Sequence, residues 1–238
     1  MNLNEFIKLT KTDKATAYFV ARKYLFLNKY IKQTSKIKRS LDIGSNYGLF
    51  TELLQSKGYS SYGIEPNNKL LSFARNHGVS KYSLGSAEKI SFPDNHFDVI
   101  LLLDTLEHII NRDKALNEIN RVLKPNGIVI ITVPNTLSYF YLRSFMTSFL
   151  RGQKPWKNVH YQQNYFHWEH QINNFLKIIG SSPILAVPLF EPKLIRKHRL
   201  ARFEYSKPRL SCISADPVII CTKRTEPLKG DTDITNLK

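Results

Sequence analysis

Apolar residues recur at Ala17, Val20, Ala21, Tyr24, Leu25, Leu27 and Ile31, the three-to-four spacing of one helix face over 13–33. Thr12 or Asp13 supplies a cap, and Lys and Arg fill the other face. From Ile37 onward short apolar runs alternate with helical patterns. Strands are expected at 40–43, 60–64, 81–84, 97–103 and 128–133, with helices at 49–56, 67–76 and 112–123. The run at 97–103 is almost continuously apolar, which suits a central parallel strand covered on both faces. Pro125-Asn126-Gly127 is a stop signal for the last of these helices. Beyond Pro134 the pattern loosens. Residues 135–150 are rich in aromatics and Leu, 160–170 in His and aromatics, and 168–179 read as a helix ended by Gly180. Two closing strands are expected at 184–190 and 217–222.

Strands alternating with helices at this spacing make an α/β fold: a doubly wound, mostly parallel seven-stranded sheet with helices on both faces. The expected organisation is a helical extension over 1–36, one main domain over 37–225 and a polar tail over 226–238. Within the main domain, 37–135 is the ligand-binding core, and 136–180 and 191–215 are insertions on the substrate side.

Charge divides the chain the same way. The formal net charge is +16, but 40–125 holds 9 basic against 10 acidic side chains. Residues 1–39 hold 10 against 2, and 126–238 hold 16 against 7. The near-neutral centre is where small-molecule chemistry is expected. The basic flanks suit an anionic partner such as RNA, an acidic membrane surface or a phosphorylated substrate, or simply a solubilising surface. Cys212 and Cys221 lack CxxC spacing, which argues against a disulfide framework or a cysteine zinc site. Residues 1–10 hold no signal-peptide run, and no stretch reaches the roughly 18 apolar residues of a membrane span. A cytoplasmic location is expected, with peripheral membrane contact as an option.

The densest motif is Leu41-Asp42-Ile43-Gly44-Ser45-Asn46-Tyr47-Gly48-Leu49-Phe50, where a strand should pass into a helix. Gly44 permits a turn that a side chain would block, and Gly48 lets the helix start close to a ligand. A plain turn or a dinucleotide site could own such a loop. Three features narrow the choice. Glu65 closes the second strand ahead of Pro66, where a carboxylate can accept both hydroxyls of a ribose. Gly85-Ser86-Ala87-Glu88 follows the third strand, with a small residue and a polar edge for an adenine ring. Asp42 precedes the glycines; a carboxylate there repels a pyrophosphate and favours the ammonium and sulfonium of S-adenosylmethionine. The loop also falls short of G-x-G-x-x-G, the dinucleotide form.

Over about 37–135 the sequence resembles the class I (Rossmann-like) methyltransferase superfamily, in the broad group that includes ubiquinone-pathway O-methyltransferases. Asp42, Gly44 and Gly48 correspond to its first motif, Glu65 to its ribose-binding acid, and Ala87 and Glu88 to its adenine loop. Phe97 through Ile109 corresponds to its fourth motif, and Leu123-Lys124-Pro125-Asn126-Gly127-Ile128 to the turn before its fifth strand. The family's middle glycine is Asn46 here, a residue that tolerates left-handed backbone better than most. The resemblance implies S-adenosylmethionine as donor and S-adenosylhomocysteine as product. Asp42, Gly44, Ser45, Asn46, Gly48, Glu65, Pro66, Ala87, Glu88, Leu103 and Asp104 are then the expected cofactor residues.

Candidate chemistry is sparser. Asp104, Glu107 and His108 share one face if a helical turn begins at Asp104. Two carboxylates and an imidazole can hold a divalent ion, as related small-RNA and some ubiquinone-pathway enzymes do; the preferred expectation is no metal, with His108 lining the active site. His108, His160 and His167 are candidate catalytic residues, the latter two with His170 in an aromatic segment folding over the open side of the sheet. Tyr139, Phe140, Leu142, Phe145, Met146, Phe149 and Leu150 make an apolar stretch flanked by Arg143, Arg151, Lys154 and Lys157. It fits a lid helix packed on its own domain, or an interfacial helix. The preferred function is methyl transfer to an oxygen of a small or lipid-linked acceptor. Behind it stand an RNA methyltransferase, a catalytically silent binding or scaffold protein, and last an NAD-dependent oxidoreductase.

Overall fold

The computed structural model describes residues 2–11, 14–133, 146–147, 149–152, 183–188 and 217–223. Helices α1 (Leu3–Thr10) and α2 (Lys14–Tyr30) lead into β1 (Arg39–Ile43), α3 (Leu49–Ser56), β2 (Ser60–Glu65) and α4 (Asn68–Asn76). Then come β3 (Tyr82–Leu84), β4 (Phe97–Leu103), a single 3₁₀ turn (Leu106–His108), α5 (Arg112–Val122) and β5 (Leu123–Thr132). Strands β6 (Pro183–Pro188) and β7 (Pro217–Thr222) complete the described elements.

The seven strands form one sheet in the order β3-β2-β1-β4-β5-β7-β6. Strands β1 to β5 pair in parallel, while β7 runs antiparallel to both β5 and β6. The expected doubly wound, mostly parallel seven-stranded sheet is therefore the fold. Its strand order reverses between β1 and β4, and such switch points open a crevice at the carboxyl ends of the strands.

Period-two alternation splits the core between the two faces. Ile100 and Leu102 of β4 pack with Leu41, Ile43, Val129 and the α5 residues Leu116 and Ile119. Val99 and Leu101 turn the other way, onto Leu53 and Leu54 of α3 and Leu27 of α2. Full burial of an aliphatic side chain of this size contributes about 1.5–3 kcal/mol, so Leu27, 1% exposed, anchors α2 as part of the sheet's covering layer. Cys221 is wholly buried on β7, and burial pushes its thiol up to about 12, out of the range of a reactive thiolate.

Most expected elements stand within a residue or two of their places. Three differ. Helix α1 was not expected; it starts from a capping box in which Asn2 accepts from the Glu5 N–H and the Glu5 carboxylate accepts from the Asn2 N–H. Helix α5 ends at Val122, and β5 begins at once rather than after Pro125-Asn126-Gly127. Those residues sit in a register jump, because Phe97 pairs with Leu123 while Val99 pairs with Ile128. Asp104 starts no helix: its φ is 48°, left-handed. The expected helix at 168–179 lies outside the described residues.

Arg121 of α5 clips the connection ahead of β4 in place. Its guanidinium donates to the carbonyls of Ile90 and Phe92, to Asp94 and to Glu118, at 2.7–2.8 Å.

Candidate functional site

The crevice is built from the loops that leave β1, β2 and β4. After Ile43 the chain turns sharply: Gly44 N–H, Ser45 N–H and the Ser45 hydroxyl all donate to the Ile64 carbonyl, at 2.9, 3.2 and 3.1 Å. Gly44 has a φ of 68°, and a Cβ there would stand 2.6 Å from the side chain of Thr105. The close approach is functional in the fold, because the Thr105 hydroxyl donates to the carbonyls of Ile43 and Leu103 and joins the ends of β1 and β4. Gly48 has a φ of 85° at the N-cap of α3, with Val79 2.8 Å from where a Cβ would sit. Asn46 has a φ of 51°, the left-handed conformation its residue type suggested.

Glu65 ties this loop to the next. Its side chain is 6% exposed. One carboxylate oxygen accepts the Asn46 N–H and the other the Asn67 N–H, each at 2.9 Å. Each oxygen keeps a second lone pair for a ligand hydroxyl. Asn67 in turn caps α4 by accepting the Lys69 N–H.

Asp42 is placed differently from the expectation that it greets a ligand directly. It is 2% exposed and accepts the Thr51 hydroxyl at 2.9 Å, beneath the loop rather than in the crevice. Burial pushes its carboxyl up to about 7, helped by the nearby Glu65. A positive ligand above it would draw the proton off through a low-dielectric gap. The sign for stability follows. Between about pH 4 and pH 7 the folded state keeps a proton that the unfolded chain has released, so this group's contribution falls as pH rises through that window. We expect Asp42→Asn to gain stability relative to the parent as unfolding is measured from about pH 5 to about pH 8. A difference between the two proteins that does not change with pH would contradict the shifted carboxyl.

The adenine-side candidates are less open. Ala87 is 6% exposed and packs into the core, and Glu88 accepts the Asn111 N–H at 3.2 Å. Pro66 is exposed at the rim.

At the end of β4 the sequence reading missed a residue. Lys23 of α2, 4% exposed, places its ammonium on the Asp104 carboxylate. The other carboxylate oxygen accepts the Thr132 hydroxyl at 2.7 Å, and the Asp104 N–H donates to both the carbonyl and the hydroxyl of Thr132. Four contacts thus hold a non-glycine residue left-handed, and such overdetermined outliers concentrate at functional sites. Leu103 lines a small void beneath α2, beside Lys23, Leu27 and Thr132. The signal for Lys23 was available: with Leu27 and Ile31 it lies on one i, i+4 stripe, the buried face of the helix.

The metal alternative gains no geometry. Glu107 is turned inward at 5% exposure, His108 is half exposed with Nε2 3.9 Å from the Glu107 carboxylate, and Asp104 is engaged by Lys23. Among the described residues no three His, Cys, Asp or Glu side chains gather at metal-binding distance. His160 and His167 lie outside the described residues, as does most of the apolar stretch after Pro134. Met146, Phe149 and Leu150, in a short described piece of it, are exposed. No described helix is long and apolar enough to cross a membrane.

Helix α1 packs on the glycine loop from outside. Phe6 meets Tyr47 edge-on at 5.9 Å between ring centroids, and Tyr47 meets Phe73 of α4 at 4.9 Å.

A protein-family model described as "Methyltransferase domain" matches residues 41–131. Over 102 residues the chain is 33% identical to a ubiquinone biosynthesis O-methyltransferase of Azorhizobium caulinodans, covering 41% of this chain and 40% of that protein. Over 105 residues it is 32% identical to a ubiquinone/menaquinone biosynthesis C-methyltransferase of Vibrio cholerae, 40% of each chain. The chain thus spans about two fifths of the length of these curated relatives. In structure it resembles a protein of Thermotoga maritima described as an S-adenosylmethionine-dependent methyltransferase, possible histamine N-methyltransferase. The TM-score is 0.59 at 22% identity, over 89% of this chain and 95% of that one, which establishes a common fold.

Proposed function

We propose that the protein, whose residues 41–131 match a methyltransferase-domain model, transfers a methyl group from S-adenosylmethionine to an acceptor, by preference a hydroxyl oxygen of a small or lipid-linked molecule. The observation that carries this reading is Glu65. Its nearly buried carboxylate stands at the switch-point crevice and grips the glycine loop, the placement a ribose diol needs. The cradle fits the donor in shape, since Gly44, Asn46 and Gly48, all left-handed, make the tight strand-to-helix turn over which it would lie. It fits in charge through Glu65, whose carboxylate faces the glycine loop, while Asp42 lies beneath that loop and Asp104 is paired with Lys23.

Gly44, Ser45, Asn46 and Gly48 would hold the donor's backbone-facing side, Glu65 its ribose, and Pro66, Ala87 and Glu88 its adenine. Leu103 and Asp104 would meet the methionine end, with Lys23 beside them. The donor supplies an electrophilic methyl group on a positive sulfur. Methyl transfer then asks little of the chain beyond in-line placement and exclusion of water. α1 packs on the glycine loop through Phe6, and α2 reaches the end of β4 through Lys23. His108, at the same edge and half exposed, is the described candidate to take a proton from the acceptor. His160 and His167 are further candidates.

The relatives' names support an acceptor related to quinones, O- or C-directed. The basic flanks support RNA as the second acceptor class. Incubation with radiolabelled donor and a cell extract fractionated into lipid, small molecule, RNA and protein separates these. Label in the lipid or small-molecule fraction is expected. Label in RNA, lost steeply as salt rises, would replace the preferred acceptor. Donor binding without label in any fraction would favour a silent binding protein, and absence of donor binding would end the reading.

A further inference from the structure

The glycine loop requires a left-handed residue at position 46, and the chain supplies asparagine rather than glycine. Asparagine pays a conformational cost there that glycine does not. Two side chains from neighbouring strands hold its backbone. The Glu65 carboxylate accepts the Asn46 N–H at 2.9 Å, and the Tyr82 hydroxyl donates to the Asn46 carbonyl.

Tyr82 opens β3 and is 5% exposed. Its ring reaches the loop by crossing β2 at Gly63, where a Cβ would stand 2.4 Å from the ring carbons. The glycine in β2, the tyrosine in β3 and the asparagine in the loop therefore form one arrangement. Burial raises the phenol above its ordinary range, and the Asp42 and Glu65 carboxylates reinforce the shift. The hydroxyl keeps its proton and serves as the donor that a carbonyl needs.

We propose that Tyr82 is a positioning residue of the donor site: its hydroxyl fixes Asn46 in the left-handed turn and so aims the loop's N–H groups and Glu65 at the ligand. This rests on the reading that the loop binds S-adenosylmethionine. An asparagine with a tyrosine clamp does the work of a glycine. Two consequences follow. The clamp matters only while position 46 is a residue that resists the turn. It also acts on the loop before any ligand arrives.

The full-length chain and the variants Tyr82→Phe, Asn46→Gly and the double variant test this. Tyr82→Phe keeps the ring over Gly63 and removes the hydroxyl alone. Calorimetric titration with S-adenosylmethionine should show Kd raised about five- to tenfold in Tyr82→Phe relative to the parent, with Asn46→Gly measured as the reference for the double variant. In the Asn46→Gly background, removing the hydroxyl should cost less than about twofold. Amide exchange without ligand should speed up at Asn46 in Tyr82→Phe by a factor similar to the loss of affinity. Equal losses in both backgrounds, or unchanged affinity and unchanged exchange, would overturn the proposal. If Tyr82→Phe fails to fold while the double variant folds, the clamp is supported. If both fail, the hydroxyl supports the sheet and the proposal falls. A parent protein that binds no donor would remove the donor reading, and the exchange measurement would still decide whether the clamp exists.

Discussion

Replacing Glu65 by alanine should weaken S-adenosylmethionine binding by about 30- to 150-fold, with glutamine nearly as damaging. The size follows from what the carboxylate holds. Hydrogen bonds to a charged acceptor contribute about 1.5–3 kcal/mol each. Glu65 makes two of them, to the N–H groups of Asn46 and Asn67, and offers its remaining lone pairs to a ribose. Loss of the side chain releases the loop at Asn46, releases the residue that caps α4 and removes the hydroxyl acceptor. Glutamine keeps the shape but turns one oxygen into an NH₂ group. Whichever way it lies, that group faces a backbone N–H, donor against donor. Isothermal titration on both variants is the measurement. Affinities within twofold of the parent for both would remove Glu65 from the site. A loss in alanine with full retention in glutamine would show that shape, not charge, is what the ligand reads.

The parts of this site that were legible in the sequence are those fixed by backbone sterics. Gly44 and Gly48 are needed because Thr105 and Val79 leave no space for a Cβ, and glycine at a strand-to-helix turn announces such crowding. The left-handed turn at Asn46 was legible for the same reason. Glu65 was legible from position, as the acid that closes a strand of a doubly wound sheet. What stayed hidden depends on contacts across long separations. Lys23 reads as one more cation on a basic helix until α2 is seen to bury the stripe that carries it with Leu27. Asp104 reads as the start of a helical turn until Thr132 and Lys23 pull it left-handed. Tyr82 belongs to a three-residue strand too short for periodicity to weigh. Asp42 was read from its charge and its place before the glycines, and Thr51, in the first turn of α3, takes its carboxylate inward. Helix α1 was written in the capping pair Asn2 and Glu5, a signal passed over at the end of a chain.

The buried ion pair should answer mutation asymmetrically. Removing one partner of a buried pair costs about 3–5 kcal/mol, because the other charge is left uncompensated. The two partners here differ in burial: the Lys23 side chain is 5% exposed and that of Asp104 is 37% exposed. Asp104→Asn takes the carboxylate from an ammonium that water scarcely reaches, and its cost should be the larger of the two, up to the lower end of that range. Asparagine tolerates the left-handed backbone and can still accept from Thr132, so the change isolates the charge. Lys23→Met strands a carboxylate that water and Thr132 can serve, and methionine suits the stripe with Leu27 and Ile31. Screening by solvent should hold that cost to about 1 kcal/mol. The double variant should be more stable than Asp104→Asn alone, since the buried ammonium goes together with the carboxylate it faces. Denaturant unfolding of the three variants measures all of this. Because Lys23 is on α2, the early loss in Asp104→Asn should also show as faster proteolysis within Lys14–Tyr30. Equal costs for the two single changes, or a double variant whose loss is the sum of both, would mean that the contact carries no coupling. The helix would then be held by its apolar stripe alone.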